Sequence, residues 1–187
     1  GGKTTHLAQL MDNEGVIKAF DIYEHKINLI AETSKRLGIK IIDASVKDAT
    51  ALDLELPEWA DFGLADVPCS GTGVLGRRAD ARWRKEPSQL NELPQLQLKI
   101  LHSVSKCVKQ NGVLVYSTCS IEPEENLGVI SSFLKENQNY QLHPIESLLP
   151  FSLDSEDQKQ AESGYFQFLP HVHGTDGFFV ARLIRIK

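Results

Sequence analysis

The chain has 187 residues, a net charge of −5 and a sequence pI of about 5.7. This length suits one well-buried domain, and the acidic balance argues against a surface coated with nucleic-acid-binding charge. No apolar run approaches the ~18 residues of a membrane span, and three cysteines without regular spacing favour thiols over a disulfide framework. We therefore expect a cytoplasmic, monomeric protein that binds no membrane.

Short apolar runs bounded by polar or glycine-containing turns recur along the chain, as in buried β-strands. Amphipathic segments separate most of them, and repeated βα units predict an α/β fold with a mostly parallel, doubly wound sheet. The last two runs are close enough in sequence to pair as an antiparallel hairpin. The predicted strands cover residues 16–20, 39–46, 62–66, 113–116, 165–169 and 178–186.

Three stretches are typical of helices that lie against such a sheet. Residues 22–37 and residues 93–108 carry apolar stripes at helical spacing, and the second helix is predicted to stop near Asn111. A third helix is predicted to open at Pro123, because the fixed φ angle of proline suits a first helical turn. The glutamates at 124–125 would then lie in that turn, where the helix dipole favours negative charge.

The chain opens on Gly1, Gly2 and Lys3, followed by a helical segment. Glycines that enter a helix let the backbone approach a ligand, and the amides of the first turn attract negative groups. A glycine pair alone is a weak signal, and it is similar to the end of a phosphate-binding loop. A glycine turn is an unusual place for a domain to begin. We therefore expect the first strand of the sheet, and an upstream region, to precede Gly1.

Three aspartates follow predicted strands: Asp21, Asp48 and Asp66. In open α/β sheets, ligands bind outside the carboxyl ends of the strands, and an acid there often contacts the ribose hydroxyls of a nucleoside. Aspartate also begins many ordinary loops, which is the plainer interpretation of any single one. Asp43 competes with Asp48 but lies in the middle of its strand. Three acids at corresponding positions favour a nucleoside site.

Two cysteines lie where a predicted strand passes into a loop. Cys69 follows the strand at 62–66, and Cys119 follows the strand at 113–116. Because parallel strands end at one edge of a sheet, both thiols are expected to face one crevice. Two thiols at such an edge predict covalent chemistry. Cys107, by contrast, lies on a predicted helix and is expected to be a small core residue.

A basic strip with one tryptophan lies in the loop after residues 62–66, in an otherwise acidic chain. Such a strip can hold a phosphate backbone and stack a base, although charge alone favours a solvated loop. The histidines show no metal-ligand spacing, so we expect no metal. The strip consists of Arg77, Arg78, Arg82, Trp83, Arg84 and Lys85.

Short segments along the chain also match the motifs of a known family. In order, they are GGKTTH, DIYEHK, VKDAT, DVPCSGTG, RRADARWRK, LPQLQLKIL, YSTCS followed by PEEN, and HGTDGFF. Together they resemble the catalytic domain of the RNA cytosine-C5 methyltransferases, and the nearest branch is the RsmB type, also called Sun, which acts on 16S rRNA. The resemblance covers nearly the whole chain, and the two-cysteine signature is specific to RNA-directed members.

The resemblance implies a Rossmann-like class I S-adenosylmethionine-dependent methyltransferase domain over residues 1–187. It assigns the nucleophile to Cys119 and assistance in product release to Cys69, and it places Asp66 between the cofactor and the target base. The family's Cys-Ala-Ala-Pro segment, and the NusB-like RNA-binding region of RsmB-type proteins, would lie before Gly1. The implied cofactor-binding residues are Gly1, Gly2, Lys3, Asp21, Asp48 and Asp66.

The function implied is methyl transfer from S-adenosylmethionine to carbon 5 of a cytosine in RNA, foremost in small-subunit rRNA, through a covalent cysteine adduct. Three alternatives remain open. The target could be tRNA or another rRNA site, and the chain could be a non-catalytic RNA-binding module. It could also be a dinucleotide-dependent oxidoreductase, which would explain Asp21 but not the two cysteines. The RNA-binding candidates are Arg77, Arg78, Arg82 and Trp83.

Overall fold

The computed structural model describes residues 1–54, 56–84 and 88–187. These residues form two compact units, Gly1–Leu52 and Asp53–Lys187. Helices accompany a separate β-sheet in each unit, so the described residues have the α/β organisation that the sequence predicts. No helix within the described ranges is both long and apolar enough to cross a membrane.

The first unit is built on two parallel strands. Its strands pair from Ile17 opposite Ile42 to Asp21 opposite Val46. Its core contains Ala19 and side chains from one face of the second helix. That helix ends at Gly38, which has a left-handed φ of 69°. The elements are α1 (Gly2–Leu10), β1 (Ile17–Asp21), α2 (Glu24–Leu37) and β2 (Ile42–Val46).

Strand β2 is shorter than the predicted strand at 39–46. The Asn13 side chain bonds the backbone before the strand, since its Nδ2 donates to Gly38 O and its Oδ1 accepts from Lys40 N–H at 2.8 Å. The backbone around Lys40 is therefore bonded to Asn13 rather than to a neighbouring strand. The ladder with β1 begins at Ile42.

The second unit contains the larger sheet and most of the buried core. Strand β3 (Ala60–Asp66) lies beside β4 (Val108–Thr118), and helix α3 (Gln89–Cys107) connects the two. Short 3₁₀ turns interrupt the loop between β3 and α3 at 72–74 and 79–84. The remaining elements are α4 (Leu127–Glu136), β5 (Tyr140–Leu142), a 3₁₀ turn (Glu146–Leu148), α5 (Ser155–Glu162), β6 (Tyr165–Phe168), α6 (Pro170–His173) and β7 (Phe178–Arg185).

Strand β7 runs against the other strands of this sheet. Along one edge it pairs antiparallel with β4. Along its other edge it pairs antiparallel with β6 near Phe178 and with β5 near Leu183. The pairing of β6 with β7 is the predicted C-terminal hairpin. Because β3 is parallel to β4, and because β5 and β6 are antiparallel to β7, all four run in the same direction. The sheet is therefore mixed: β3 and β4 pair in parallel, and the reversed strand β7 pairs antiparallel with β4, β5 and β6.

The sequence predicts that the helix at 93–108 stops near Asn111, and this prediction is wrong. Helix α3 ends at Cys107, and the chain enters β4 at once, with Val108 opposite Ala60. The residues that follow bulge out before Val113 resumes the ladder, and Asn111 has a left-handed φ of 62° within the bulge. An asparagine followed by glycine suits a helix end and a β-bulge equally well. Here it marks the bulge.

The helix that the sequence predicts to open at Pro123 does not begin there. Helix α4 begins at Leu127, and residues 123–126 form a turn in which Pro123 O accepts from Asn126 N–H and Gly128 N–H. The turn directs the side chain of Glu125 into the protein, where it is fully buried. Placing the glutamates in a first helical turn, with their charge stabilised by the helix dipole, was therefore wrong.

Replacing Leu183 with alanine should destabilise the second unit strongly. The side chain is fully buried on β7, and Leu114 of β4 and Leu142 of β5 pair with it on either side. A cavity at such a position costs about 2–5 kcal/mol. Leu148→Ala is the control, because Leu148 is 63% exposed and its loss should cost less than about 0.5 kcal/mol. Urea unfolding of both variants measures the difference, and equal losses would contradict this description of the core.

Candidate active site

The two strand-end cysteines meet at the carboxyl edge of the larger sheet. Strands β3 and β4 are parallel neighbours, with Asp66 opposite Ser117, so the loops that follow them leave the same edge. Cys69 lies on the first loop and Cys119 on the second, and their Sγ atoms are 3.1 Å apart. All three cysteines are thiols, and Cys107 is buried on α3 as predicted. The two thiols therefore lie together at one edge of the sheet, as the sequence predicts.

Contact with Cys119 raises the pKa of Cys69 far above its usual range. The hydrogen bond between the two sulfurs is the largest cause, followed by burial and by the negative charge that Cys119 can carry. Two adjacent sulfurs do not both ionise readily, because the second negative charge is repelled by the first. Cys69 therefore keeps its proton at neutral pH and can donate it to a Cys119 thiolate.

Below the thiols, the carboxyl group of Glu125 joins both loops. Its Oε2 accepts from the Ser70 N–H on the Cys69 loop, and its Oε1 accepts from Ser120 Oγ on the Cys119 loop, each at 2.8 Å. Gln97 of helix α3 donates to Oε2 at 2.8 Å and also to Pro68 O at 2.9 Å. Two of the three donors to this carboxyl, Ser70 N–H and Ser120 Oγ, belong to the residues directly after Cys69 and Cys119.

Asn126 provides a second anchor for the Cys119 loop. Its Oδ1 accepts from Thr118 Oγ1 at 2.6 Å, and its Nδ2 donates to Ser120 O at 3.0 Å. The same Nδ2 donates to Gln167 Oε1 on β6 at 2.7 Å. The backbone on either side of Cys119 is thereby bonded to the turn before α4 and to the hairpin.

A contact between two glycines fixes the Cys69 loop to β7. Gly73 N–H donates to Cys119 O at 3.0 Å, and Gly177 N–H donates to Gly73 O at 2.8 Å. The two backbones are so close that a Cβ atom on Gly73 would collide with the carbonyl of Gly177. Glycine is required here by the approach of the chains rather than by a left-handed turn.

The third strand-end acid, Asp66, lies shortly before Cys69 in sequence and is hydrogen-bonded to the neighbouring strand. Asp66 is the last residue of β3, is exposed, and accepts a hydrogen bond from Ser117 Oγ at 2.8 Å. This bond orients the carboxylate at the edge from which the Cys69 loop departs.

In the first unit, two predicted cofactor-binding acids end adjacent strands. Asp21 ends β1, where its Oδ1 accepts from Tyr23 N–H at 3.0 Å. Asp48 follows β2, and its pKa is lowered by hydrogen bonds from the backbone and hydroxyl of Thr50. Asp43 lies in the middle of β2 and pairs with Lys18 at 2.9 Å, as expected for the weaker candidate.

The amino end of α1 completes this predicted set. Gly1 precedes the helix, Gly2 begins it, and both are exposed together with Lys3. Nothing lies within 4 Å of where a Cβ atom of Gly2 would be, so the backbone there is open to a ligand. Carboxylates can accept from the ribose hydroxyls and the adenine amino group of a nucleoside cofactor, and an open helix terminus can approach its negative groups. The residues of this set therefore fit such a cofactor.

The predicted RNA-binding residues lie on the surface. Arg78 and Arg82 are exposed, and Trp83 is 86% exposed. Arg77 forms an ion pair with Asp176, so part of its charge is balanced within the protein. Lys85 lies outside the described residues. In the described ranges, no group of three histidine, cysteine or acidic side chains is arranged to hold a metal.

Sequence reasoning missed Glu125 and Gln97. Glu125 was assigned to a helix terminus because proline followed by glutamates is typical of one. Gln97 had a recognisable signal, since it occupies the apolar stripe of its helix, between Leu93 and Ile100, where a polar residue requires a partner. Its Nε2 has two, Pro68 O and Glu125 Oε2.

Comparison with known proteins identifies the family. The model of the 16S rRNA methyltransferase RsmB/F family matches residues 1–184. The chain belongs to this family. It is 39% identical, over 98% of its length, to the probable ribosomal RNA small subunit methyltransferase B of Bacillus subtilis (strain 168). It spans 40% of the length of that relative.

Solved structures agree with this assignment. NSun6 from Pyrococcus horikoshii, determined with SFG, is 30% identical with a TM-score of 0.80, over 100% of this chain and 46% of that one. A methyltransferase homologue from Pyrococcus horikoshii is 31% identical with a TM-score of 0.77, over 99% of this chain and 58% of that one. The predicted Rossmann-like class I methyltransferase fold is confirmed, and S-adenosylmethionine is the cofactor of the family.

Replacing Gly73 with alanine should destabilise the protein by about 1–3 kcal/mol, because the new methyl group must push the backbone away from Gly177. Gly76→Ala in the same loop is the control, since nothing lies within 4 Å of its added Cβ. Urea unfolding compares the two variants. If Gly73→Ala proved as harmless as Gly76→Ala, the glycine contact would not hold the Cys69 loop.

Replacing Cys119 with alanine should make Cys69 reactive at a lower pH. The variant removes the hydrogen bond and the charge that raise the pKa of Cys69, so its thiolate forms at a lower pH than in the unchanged protein. The initial rate of iodoacetamide alkylation of Cys69, followed by mass spectrometry across pH, measures the shift. Cys107→Ala is the control and should leave the profile unchanged. An unchanged profile in Cys119→Ala would contradict the coupling of the thiols.

Proposed function

We propose that this chain is the catalytic domain of an S-adenosylmethionine-dependent methyltransferase that modifies carbon 5 of a cytosine in small-subunit rRNA. The observation that carries the proposal is the 3.1 Å contact between Cys69 and Cys119 at the carboxyl edge of the sheet. Membership of the RsmB/F family and the name of the Bacillus subtilis relative support rRNA as the substrate. The reaction would take place in the cytoplasm, where thiols stay reduced.

Carbon 5 of cytosine is a poor nucleophile, so covalent activation is needed before it can accept a methyl group. In the proposed first half-reaction, Cys119 attacks as a thiolate, its Sγ forms a bond to carbon 6, and the electron pair displaced from the 5,6 double bond makes carbon 5 nucleophilic. The Cys69 thiol, held beside it, stabilises the attacking thiolate by donating its proton in a hydrogen bond. S-adenosylmethionine, when bound, supplies an activated methyl group.

In the second half-reaction, carbon 5 must lose its proton and Cys119 must leave. Once Cys119 is bonded to carbon 6 it carries no charge, and its thiolate no longer accepts from Cys69. Two of the causes that raise the pKa of Cys69 then disappear, so Cys69 becomes more acidic. The Cys69 thiol releases its proton to solvent, and the resulting thiolate takes the proton from carbon 5. The electrons of the broken C–H bond restore the 5,6 double bond, and the Sγ of Cys119 departs as a thiolate.

The remaining candidates would bind rather than react. Asp66, oriented by Ser117, would accept from the amino group of the base. Asp21 and Asp48 would accept from the ribose and adenine of the cofactor, next to Gly1 and Gly2. The target nucleotide must leave its stack, which costs least in an RNA loop. The exposed basic residues and Trp83 would hold that loop. The protein would act as a monomer and without a metal.

The decisive experiment compares two variants in the full-length protein, each incubated with S-adenosylmethionine and a small-subunit rRNA fragment. Cys119→Ala removes the attacking group, so methylation and any covalent complex should disappear. Cys69→Ala should still permit attack and methylation but slow the release, so a protein–RNA complex should accumulate. A denaturing gel shows this complex as a shifted band, and Cys107→Ala is the control that should behave as the unchanged protein.

A shifted band from Cys119→Ala instead of Cys69→Ala would reverse the roles of the two cysteines. Equal methylation of tRNA or another rRNA fragment would contradict small-subunit rRNA as the preferred substrate. Binding of NAD in place of S-adenosylmethionine would favour an oxidoreductase. RNA binding without methylation by the unchanged protein, and without a covalent adduct on 5-fluorocytosine RNA, would reduce the chain to an RNA-binding module.

A further inference from the structure

Glu125 combines complete burial with contacts to both cysteine loops. Its relative exposure is 0%, and its carboxyl oxygens accept three hydrogen bonds of 2.8 Å. A carboxyl group is costly to remove from water unless every such bond is made. Among the described residues, no lysine or arginine is a hydrogen-bond partner of this carboxyl group, so the three contacts explain its buried position.

The three donors come from separate parts of the second unit. Ser70 N–H lies directly after Cys69, and Ser120 Oγ lies directly after Cys119. Gln97 lies on helix α3, and its Nε2 also bonds Pro68 O, directly before Cys69. One side chain therefore connects the residue that follows each of the two cysteines with helix α3.

The hydroxyl groups around Glu125 tie the two loops together as well. Ser120 Oγ lies 3.1 Å from Ser70 Oγ and 3.2 Å from Thr72 Oγ1. From the other side, the Tyr116 hydroxyl donates to the Glu125 carbonyl at 2.6 Å and holds its backbone. The carboxyl group thus stands at the centre of a polar network, and such networks restrict the geometry of the groups that they join. Within this network, Gln97 Oε1 is buried and has no hydrogen-bond partner among the described residues.

We propose that Glu125 is a positioning residue for the two thiols. By accepting from Ser70 and Ser120 at once, it sets the spacing of Cys69 and Cys119 that the proposed chemistry requires. The inference rests on the proposed function, in which both sulfurs act on one base. Glu125 itself neither contacts the substrate nor exchanges a proton with it.

Two substitutions separate positioning from proton transfer. Glu125→Gln keeps the length of the side chain. Its amide oxygen can therefore accept from Ser70 and Gln97, while its NH₂ donates to Ser120 Oγ. Glu125→Asp keeps the carboxyl group but shortens the side chain by about 1.5 Å, so it cannot reach Ser70 N–H and Ser120 Oγ together. Positioning predicts the greater loss for Asp, whereas proton transfer predicts the greater loss for Gln.

The full-length protein is assayed with S-adenosylmethionine and a small-subunit rRNA fragment. Glu125→Asp should lower kcat by about 100-fold, as misplacement of reacting groups does, with little change in the KM for RNA. Glu125→Gln should retain activity within about tenfold of the unchanged protein, a loss equivalent to one weakened hydrogen bond. Glu124→Ala is the matched control, because Glu124 is exposed and its replacement should leave both constants unchanged.

A second measurement does not depend on methyl transfer. Iodoacetamide alkylation of Cys69 and Cys119, followed by mass spectrometry at neutral pH, reports on the local environment of each thiol. Glu125→Asp should change both rates several-fold, while the buried Cys107 stays protected and shows that the variant remains folded. Glu125→Gln should leave both rates close to those of the unchanged protein.

Greater loss of kcat in Glu125→Gln than in Glu125→Asp would overturn the proposal, as would unchanged alkylation of both thiols in a folded Glu125→Asp variant. A Glu125→Asp variant with lower thermal stability but an unchanged kcat would overturn it too, by reducing Glu125 to a structural role. If the unchanged protein methylates no RNA, the proposed function fails. The alkylation rates then still decide whether Glu125 positions the thiols.

Discussion

The parallel pairing of β3 with β4 is the constraint on which the second unit depends. It sets Asp66 opposite Ser117, and two loops of different sequence and length therefore begin at the same height on one edge. The contact between Cys69 and Cys119 follows from that register, because a slip of one residue would turn one loop away from the other. Glu125 can connect the two loops only because the strands already bring them together.

Much of the fold could be predicted because it depends on local patterns. Apolar runs revealed every described strand except the short β5, helical stripes revealed α2 and α3, and the strand ends located the cysteines. The side chain of Glu125 could not be placed in this way, since the same proline and glutamates would suit an exposed helix terminus. The buried position is favourable only because of its donors, of which Ser70 and Gln97 are far away in sequence and Ser120 is nearby.

The ends of elements show the same division. Asparagine followed by glycine gives a reliable turn signal at Asn111, but the choice between a helix end and a bulge depends on pairing with Ala60, far away in sequence. The start of β2 similarly depends on the side chain of Asn13, which bonds the backbone of Gly38 and Lys40. Short-range patterns predict that an element exists, and long-range contacts decide where it stops.

The reversed strand β7 has a consequence for how the protein is made. It lies between β4 on one side and β5 and β6 on the other, so the larger sheet stays divided until residues 178–185 have left the ribosome. Contacts between residues so distant in sequence slow folding and leave strand edges uncovered in the meantime. During synthesis, the exposed edge of β4 should make the nascent chain a substrate for chaperones until β7 arrives.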